Sequence, residues 1–105
     1  MPERSEVARA RMHTAERLSV DAYRWSDGTI SIEGQDLGPH TPGGEEYEYF
    51  IYVAPDDVPA LLSALGCVSI EEAVLELGRQ GGAIVQHGET RWLRDHGVPY
   101  RMETW

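Results

Sequence analysis

The chain has 105 residues, of which 41% are hydrophobic and 26% charged, and it carries a net charge of -9. These values indicate one folded domain that can bury a core of its own and exclude a disordered chain. The lone Cys67 excludes an intrachain disulfide and a multi-cysteine zinc site.

Residues 1–18 form a polar, arginine-rich segment. Its apolar residues between Val7 and Ala15 roughly share one helical face, so we expect either a helix or a disordered lead-in. No apolar stretch follows the arginines, which is unlike a secretory signal. With no apolar run long enough for a membrane span, we expect a cytoplasmic protein. A single α+β domain is predicted to occupy residues 19–105.

Two alternating segments, 19–25 and 29–34, flank the sequence SDGT, which holds the Asp-Gly pair favoured in tight hairpins. This pattern predicts a β-hairpin whose central turn residues both have positive φ. The following segment, GQDLGPHTPGG (34–44), is rich in glycine and proline and is predicted to be a loop.

The segment EEYEYFIYV (45–53) predicts a third strand, ended by Pro55. Because side chains alternate along a strand, its residues divide into two sets. We expect one set to face the core: Tyr47, Tyr49, Ile51 and Val53. The other set would face solvent: Glu46, Glu48, Phe50 and Tyr52. A register error of one residue would exchange them.

Helical spacing follows in residues 55–66, closed by Gly66, and again from Ser69, which forms a capping-box pattern with Glu72. We expect Gly81-Gly82 to end this second helix. Residues 83–88 fit a short strand or a linker, 89–97 a short helix and 98–105 a closing strand. The order β-β-β-α-α-α-β predicts an α+β fold with helices on one face of an antiparallel sheet.

No pattern of residues indicates catalysis, a metal or a cofactor. Cys67 lies between two helices in an apolar context without a neighbouring cation, and the four histidines show no ligand spacing. The glycines of 78–82 follow a helix and lack the Lys-Ser/Thr of a phosphate-binding loop. We therefore expect no enzyme activity, although a small pocket near Cys67 and His87 stays as a weaker alternative.

Charge is distributed unevenly along the chain. Residues 26–78 contain eleven acids and no basic residue, whereas the segments on either side each hold one more arginine than acids. The negative electrostatic field of such a block repels nucleic acid and membrane phosphates and attracts basic partners. Acidity for solubility alone is the competing interpretation.

The acidic block and the aromatic residues together predict a partner-binding surface on the uncovered side of the sheet, because tyrosine and tryptophan are enriched at binding hot spots. Ordinary cross-strand packing and a homodimer face are the alternatives. The predicted binding residues are Trp25, Glu33, Asp36, Glu45, Glu46, Glu48, Phe50, Tyr52, Asp56 and Asp57.

Three segments carry a resemblance to known proteins: ISIEGQDLG (30–38), GGEEYEYFIYVAPDDVPALL (43–62) and WLRDHGVPY (92–100). In them the chain resembles small, acidic, single-domain proteins of high-GC bacteria, several of which serve as immunity proteins to secreted toxins. The resemblance implies an inhibitor that occludes a basic toxin, for instance a nuclease. The alternative is a non-catalytic interaction module or small regulatory subunit that dimerises through its sheet.

Overall fold

The structure is a computed structural model and describes residues 4–15, 17–36 and 47–104. Five strands form one antiparallel sheet in sequence order: β1 Glu6–Ala15, β2 Leu18–Trp25, β3 Ile30–Asp36, β4 Tyr47–Val53 and β5 Arg101–Thr104. A 3-10 turn, Pro55–Asp57, and three helices lie between β4 and β5: α1 Val58–Leu65, α2 Ile70–His87 and α3 Glu89–Asp95. The predicted α+β fold is confirmed, with one more strand than expected.

The additional strand is β1. The prediction of a helix or a disordered segment is wrong for Glu6–Ala15, which pairs with β2 along its length and has irregular register between Glu6 and Ala8 and between Arg11 and His13. Met12, at the second irregularity, is only 4% exposed and belongs to the core. Glu6–Ala15 is therefore part of the folded sheet.

The β2–β3 hairpin forms where the sequence predicts it, but its turn differs from the prediction. Only Gly28 has positive φ (+93°), and the Trp25 N–H donates to the Thr29 carbonyl across the turn at 2.9 Å. The Asp27 carboxylate accepts the backbone N–H of Thr29 at 2.9 Å. This bond lowers the pKa of Asp27, because it stabilises the charged carboxylate.

The helices pack on one face of the sheet, which we call the inner face. Val20, Ala22, Ile32 and Ile51 cover this face and are at most 1% exposed. They contact helix residues in one core cluster that includes Leu61, Leu65, Leu77, Ile84 and Leu93. The opposite side of the sheet, the outer face, has no described helix against it.

The predicted end of the second helix at Gly81-Gly82 is wrong, because α2 continues to His87. Residues 83–87 are its last turns, neither a strand nor a linker. A Cβ at Gly81 would overlap the backbone of Met12, whereas one at Gly82 would meet open space. The glycine at 81 therefore permits close contact between α2 and β1 and does not terminate the helix.

The predicted start of α2 at Ser69 is confirmed, with a difference in its capping. The Ser69 hydroxyl donates to the Glu72 carboxylate at 3.0 Å, and the Glu72 N–H donates to the Ser69 carbonyl at 3.1 Å. The side chain of Ser69 makes no hydrogen bond to a backbone N–H of the helix. Gly66 ends α1 with φ +78°, as predicted.

Candidate binding surface

The outer face is built of cross-strand rows. In one row Asp21 lies opposite Glu33, Glu33 opposite Phe50, and Phe50 opposite Glu103. The next row runs from Arg9 through Tyr23, Ser31 and Tyr52 to Arg101. Antiparallel pairing places these residues side by side although they are far apart in sequence.

Two aromatic pairs occupy this face. The Tyr23 and Trp25 rings stack with centroids 5.7 Å apart, and Phe50 and Tyr52 stack at 6.5 Å. The Trp25 indole N–H donates to the Ser31 hydroxyl at 2.9 Å, and that hydroxyl donates to the Glu33 carboxylate at 2.9 Å. All four rings remain partly exposed. Stacking restricts the four rings, and a hydrogen bond also fixes Trp25, without covering them.

A polar groove of about 160 Å³ lies between the aromatic pairs. Asp21, Glu33 and Glu48 line it together with the rings of Tyr23 and Phe50. Burial raises the pKa of Glu33, and the Ser31 hydrogen bond and the Arg4 charge oppose this shift. Burial also raises the pKa of Tyr23. Partial burial beside aromatic rings therefore makes the Glu33 charge costly to leave unpaired.

Among the described residues, one of the groove carboxylates forms a salt bridge. The Arg11 Nε lies 2.6 Å from the Asp21 carboxylate, and Arg11 also donates to Thr14. Glu33 and Glu48 make no ion pair with any residue in the described ranges. The groove therefore presents carboxylates that a basic side chain could neutralise.

Arginines surround this face, which the linear charge pattern did not reveal. Arg4 stacks over Trp25 and Tyr52, Arg9 over Tyr23, and Arg101 over Tyr52, each guanidinium carbon 4.7 to 5.5 Å from a ring centroid. They come from the segments outside the acidic block, 1–25 and 79–105, which the sheet brings to its two edges. The outer face is thus acidic in its groove and basic at its margins.

The predicted binding residues divide into three groups. Trp25, Glu33, Glu48, Phe50 and Tyr52 meet on the outer face, as the strand pattern predicts. Asp36 alternates to the opposite side of β3, where it pairs with Tyr47, and Asp56 and Asp57 lie in the 3-10 turn beyond the strand end. Glu45 and Glu46 are outside the described residues.

The expected core residues of β4 lie on the predicted side of the sheet, and all but one are buried or packed against the core. Ile51 and Val53 are each 1% exposed, and Tyr49 packs against the core, whereas Tyr47 is 45% exposed at the strand end. The Tyr49 ring lies over Gly34, where a Cβ would overlap it, and its hydroxyl donates to the carboxylate of Glu89 on α3. Burial and this carboxylate raise the pKa of Tyr49.

The alternative pocket near Cys67 and His87 gains no support. Cys67 is buried, and desolvation, with the charges of Glu72 and Glu76, raises the pKa of its thiol, which opposes formation of a nucleophilic thiolate. The His87 imidazole lies 2.8 Å from the Asp95 carboxylate, which links α2 to α3. Among the described residues no group of three or more acidic, histidine or cysteine side chains could hold a metal ion.

Comparison of the chain with models of known protein families, with curated protein sequences and with solved structures gave no match. Within the described ranges no single helix is long and apolar enough to cross a membrane. The 3-10 turn with α1 reaches the length and apolar composition of a membrane span only together with α2, and the two parts are bent by 52° at the break between them.

Proposed function

We propose that this chain is a non-catalytic inhibitor that occludes a basic site on a partner protein with the outer face of its sheet, in the manner of an immunity protein. The observation that carries the proposal is the position of Glu33 at the centre of an uncovered aromatic surface. This partly buried carboxylate feels the charge of Arg4 but makes no salt bridge among the described residues. A lysine or arginine from the partner would supply the missing charge.

The groove is suited to one basic side chain. Its carboxylates can accept the N–H groups of a guanidinium, and its walls are rings against which the flat group can stack. Removing water strengthens the Coulomb attraction within such a pair, and this attraction offsets the cost of desolvating both charges only if both remain hydrogen-bonded. Glu33 already accepts the Ser31 hydroxyl, which fixes its orientation before binding.

The aromatic pairs would supply the apolar part of the contact. Half-exposed tyrosine and tryptophan side chains with restricted rotamers lose little entropy on binding and often dominate interface energetics. Trp25 is held by Ser31, and Tyr52 by two stacked arginines. These residues therefore form a preorganised surface around the groove.

The charge pattern favours a protein partner. The groove carboxylates would repel a phosphate backbone, whereas a mixed arrangement of charges can select one protein among many basic ones. The partner is expected to present a basic side chain at the centre of its contact surface and acidic residues opposite the marginal arginines. A toxin with a basic active site, such as a nuclease, fits the central part of this pattern.

A growth experiment tests the proposal. The product of the neighbouring gene is expressed with the wild-type chain, with Glu33→Lys or with Glu71→Lys, a matched charge reversal at an exposed position on α2. We expect the wild type and Glu71→Lys to restore growth and Glu33→Lys to fail, because a lysine in the groove repels the partner's cation. Equal growth with and without the chain, or full protection by Glu33→Lys, would overturn the proposal.

A homodimer through the same face is the second candidate, and the mixed charge of the outer face favours it. The row from Asp21 to Glu103 is mainly acidic and the adjacent row ends in arginines, so that two copies related by a two-fold axis could pair opposite charges. The sedimentation coefficient of the purified chain distinguishes a homodimer from a monomeric inhibitor. A wild-type dimer that Phe50→Lys converts to a monomer would support this candidate, whereas a monomeric wild type would exclude it.

A further inference from the structure

A second concave site lies beside the outer face, at the end of the sheet where β4 leads into the 3-10 turn and β5 begins. The cleft has a volume of about 310 Å³, within the usual range for small-ligand sites. Tyr52, Pro55 and Pro99 contribute largely apolar walls, and Arg4 and Arg101 contribute the basic groups. Its lining combines residues from both ends of the chain, so only the folded sheet creates it.

Stacking restricts both guanidinium groups. The guanidinium carbon of Arg4 is 4.8 Å from the Trp25 ring centroid and 5.2 Å from that of Tyr52. The guanidinium carbon of Arg101 is 4.7 Å from the same Tyr52 ring. A stacked guanidinium keeps its N–H groups free at the edge of the plane, where they can bind a carboxylate or phosphate in bidentate fashion.

The two arginines of the cleft differ in their acidic neighbours, and Arg4 acts on Glu33 and Asp27 through its charge. Arg101 lies 3.4 Å from the Glu103 carboxylate, whereas Arg4 makes no salt bridge to any carboxylate in the part of the chain that the structure describes. Asp57 also lines the cleft and opposes a second anionic group. Tyr100 accepts an N–H of Arg94 at 2.9 Å, which leaves its own O–H as a donor. Two arginines and one aspartate in the lining suit a ligand with one anionic group.

We propose that the cleft binds a small molecule that carries one carboxylate or phosphate on a flat apolar body. Arg4 and Arg101 hold the oxyanion, the Tyr100 hydroxyl donates a further hydrogen bond, and the apolar body rests against Pro55 and Pro99. This goes beyond the proposed inhibition, because the ligand is small and anionic whereas the groove at Glu33 suits a basic side chain. Tyr52 contributes to both sites, which places the ligand at the border of the protein-binding surface.

Titration of the isolated chain with small probes tests this site. Phenyl phosphate, benzoate, inorganic phosphate and benzylamine are added separately, and backbone amide shifts are followed by NMR. We expect phenyl phosphate or benzoate to bind saturably, with a dissociation constant of about 1 mM or below, and to shift the amides around Tyr52 and Arg101. If phenyl phosphate binds more tightly than benzoate, the cleft prefers a phosphate; the reverse order indicates a carboxylate. Inorganic phosphate should bind more weakly than phenyl phosphate because it lacks the apolar body.

Two variants locate the binding. Arg4→Gln is expected to raise the dissociation constant about tenfold or more, since a hydrogen bond to a charged group is lost. Arg79→Gln on α2, whose side chain is 73% exposed and paired with Glu76, removes the same charge away from the cleft and should leave the constant unchanged. Circular dichroism confirms that both variants are folded.

Three results would overturn the inference: no saturable shift with either aromatic anion, equal binding of benzylamine, or equal weakening by Arg4→Gln and Arg79→Gln. Because the titration uses no partner protein, a failure here leaves the proposed inhibition standing, and a failed growth experiment leaves the cleft standing.

Discussion

Glu33 and Tyr49 lie close together in the sheet but have opposite roles. Tyr49 faces the helices and satisfies its hydroxyl within the chain, through the Glu89 carboxylate. Glu33 faces outward and is only partly satisfied, by Ser31. A partly buried carboxylate without a salt bridge reduces the stability of the free protein, and a basic side chain of a partner would remove that cost. The alternation of side chains along each strand decides which residues face the core and which face outward.

Tyr49 makes the stability of the protein sensitive to alkaline pH. Its pKa is raised by burial and by the Glu89 carboxylate, so the folded state keeps the phenol proton at a pH where the unfolded chain loses it. This contribution to stability is complete below about pH 10, the usual pKa of tyrosine, and decreases as the pH rises above it.

We therefore expect the free energy of unfolding of the wild type to fall more steeply above pH 10 than that of Tyr49→Phe. At pH 7 the variant should be less stable by roughly 1–3 kcal/mol, since Glu89 loses its donor. Urea unfolding at several pH values measures both effects. Parallel pH profiles for the two proteins would contradict the assigned role of Tyr49.

At the scale of elements, the contact between α2 and β1 depends on Gly81. A Cβ there would overlap the Met12 backbone, and one at Gly78 would lie 3.1 Å from the Ala10 side chain. The irregular register that brings Met12 into the core is on the same strand. Small residues on α2 and the irregular register of β1 thus allow the helix and the strand to pack closely. The sequence of either segment alone does not indicate this contact.

Gly81→Ala is expected to destabilise the protein by roughly 1–3 kcal/mol, because backbone atoms of β1 must move to accommodate the methyl group. Gly82→Ala is the matched control: it has open space and should stabilise the helix by up to about 1 kcal/mol. Thermal or urea unfolding of both variants measures the difference. Two variants of equal stability would show that the close contact is not required.

The sequence was sufficient for the hairpin, for β4 and for the start of both longer helices, because each has a strong local signal. It was insufficient for β1, whose inward residues Ala8, Ala10 and Met12 are good helix formers and whose alternation is interrupted by irregular register. It was also insufficient for the end of α2, because Gly81 is needed for the close contact with β1 and does not end the helix.

At the scale of the whole molecule, the described acids of the acidic block, residues 26–78, do not form one acidic surface. Glu33 and Glu48 line the outer groove, Asp56 and Asp57 lie beyond the end of β4, and the remaining described acids include those of α2, on the other side of the sheet. Strands from the two arginine-containing segments then place cations at the margins of the outer face. The alternation of side chains along β4 was predicted from the sequence, whereas its electrostatic surroundings depend on long-range pairing.

Partner binding is therefore expected to depend on the groove and not on the net charge of -9. Loss of any one exposed carboxylate elsewhere should change partner binding little, because separated surface charges are screened at physiological salt. Loss of the Glu33 charge should have a large effect, because its pair with the partner would form in a partly buried, aromatic environment.

Calorimetric titration tests this claim most directly, with the purified basic protein whose toxicity the growth experiment is expected to show suppressed. Glu33→Gln keeps the shape of the side chain and a site for the Ser31 hydrogen bond but removes the charge, and Glu71→Gln makes the same change on α2. We expect Glu33→Gln to weaken binding roughly 10- to 100-fold and Glu71→Gln to bind as the wild type does. Equal affinities for the wild type and both variants would contradict the central role of the outer groove.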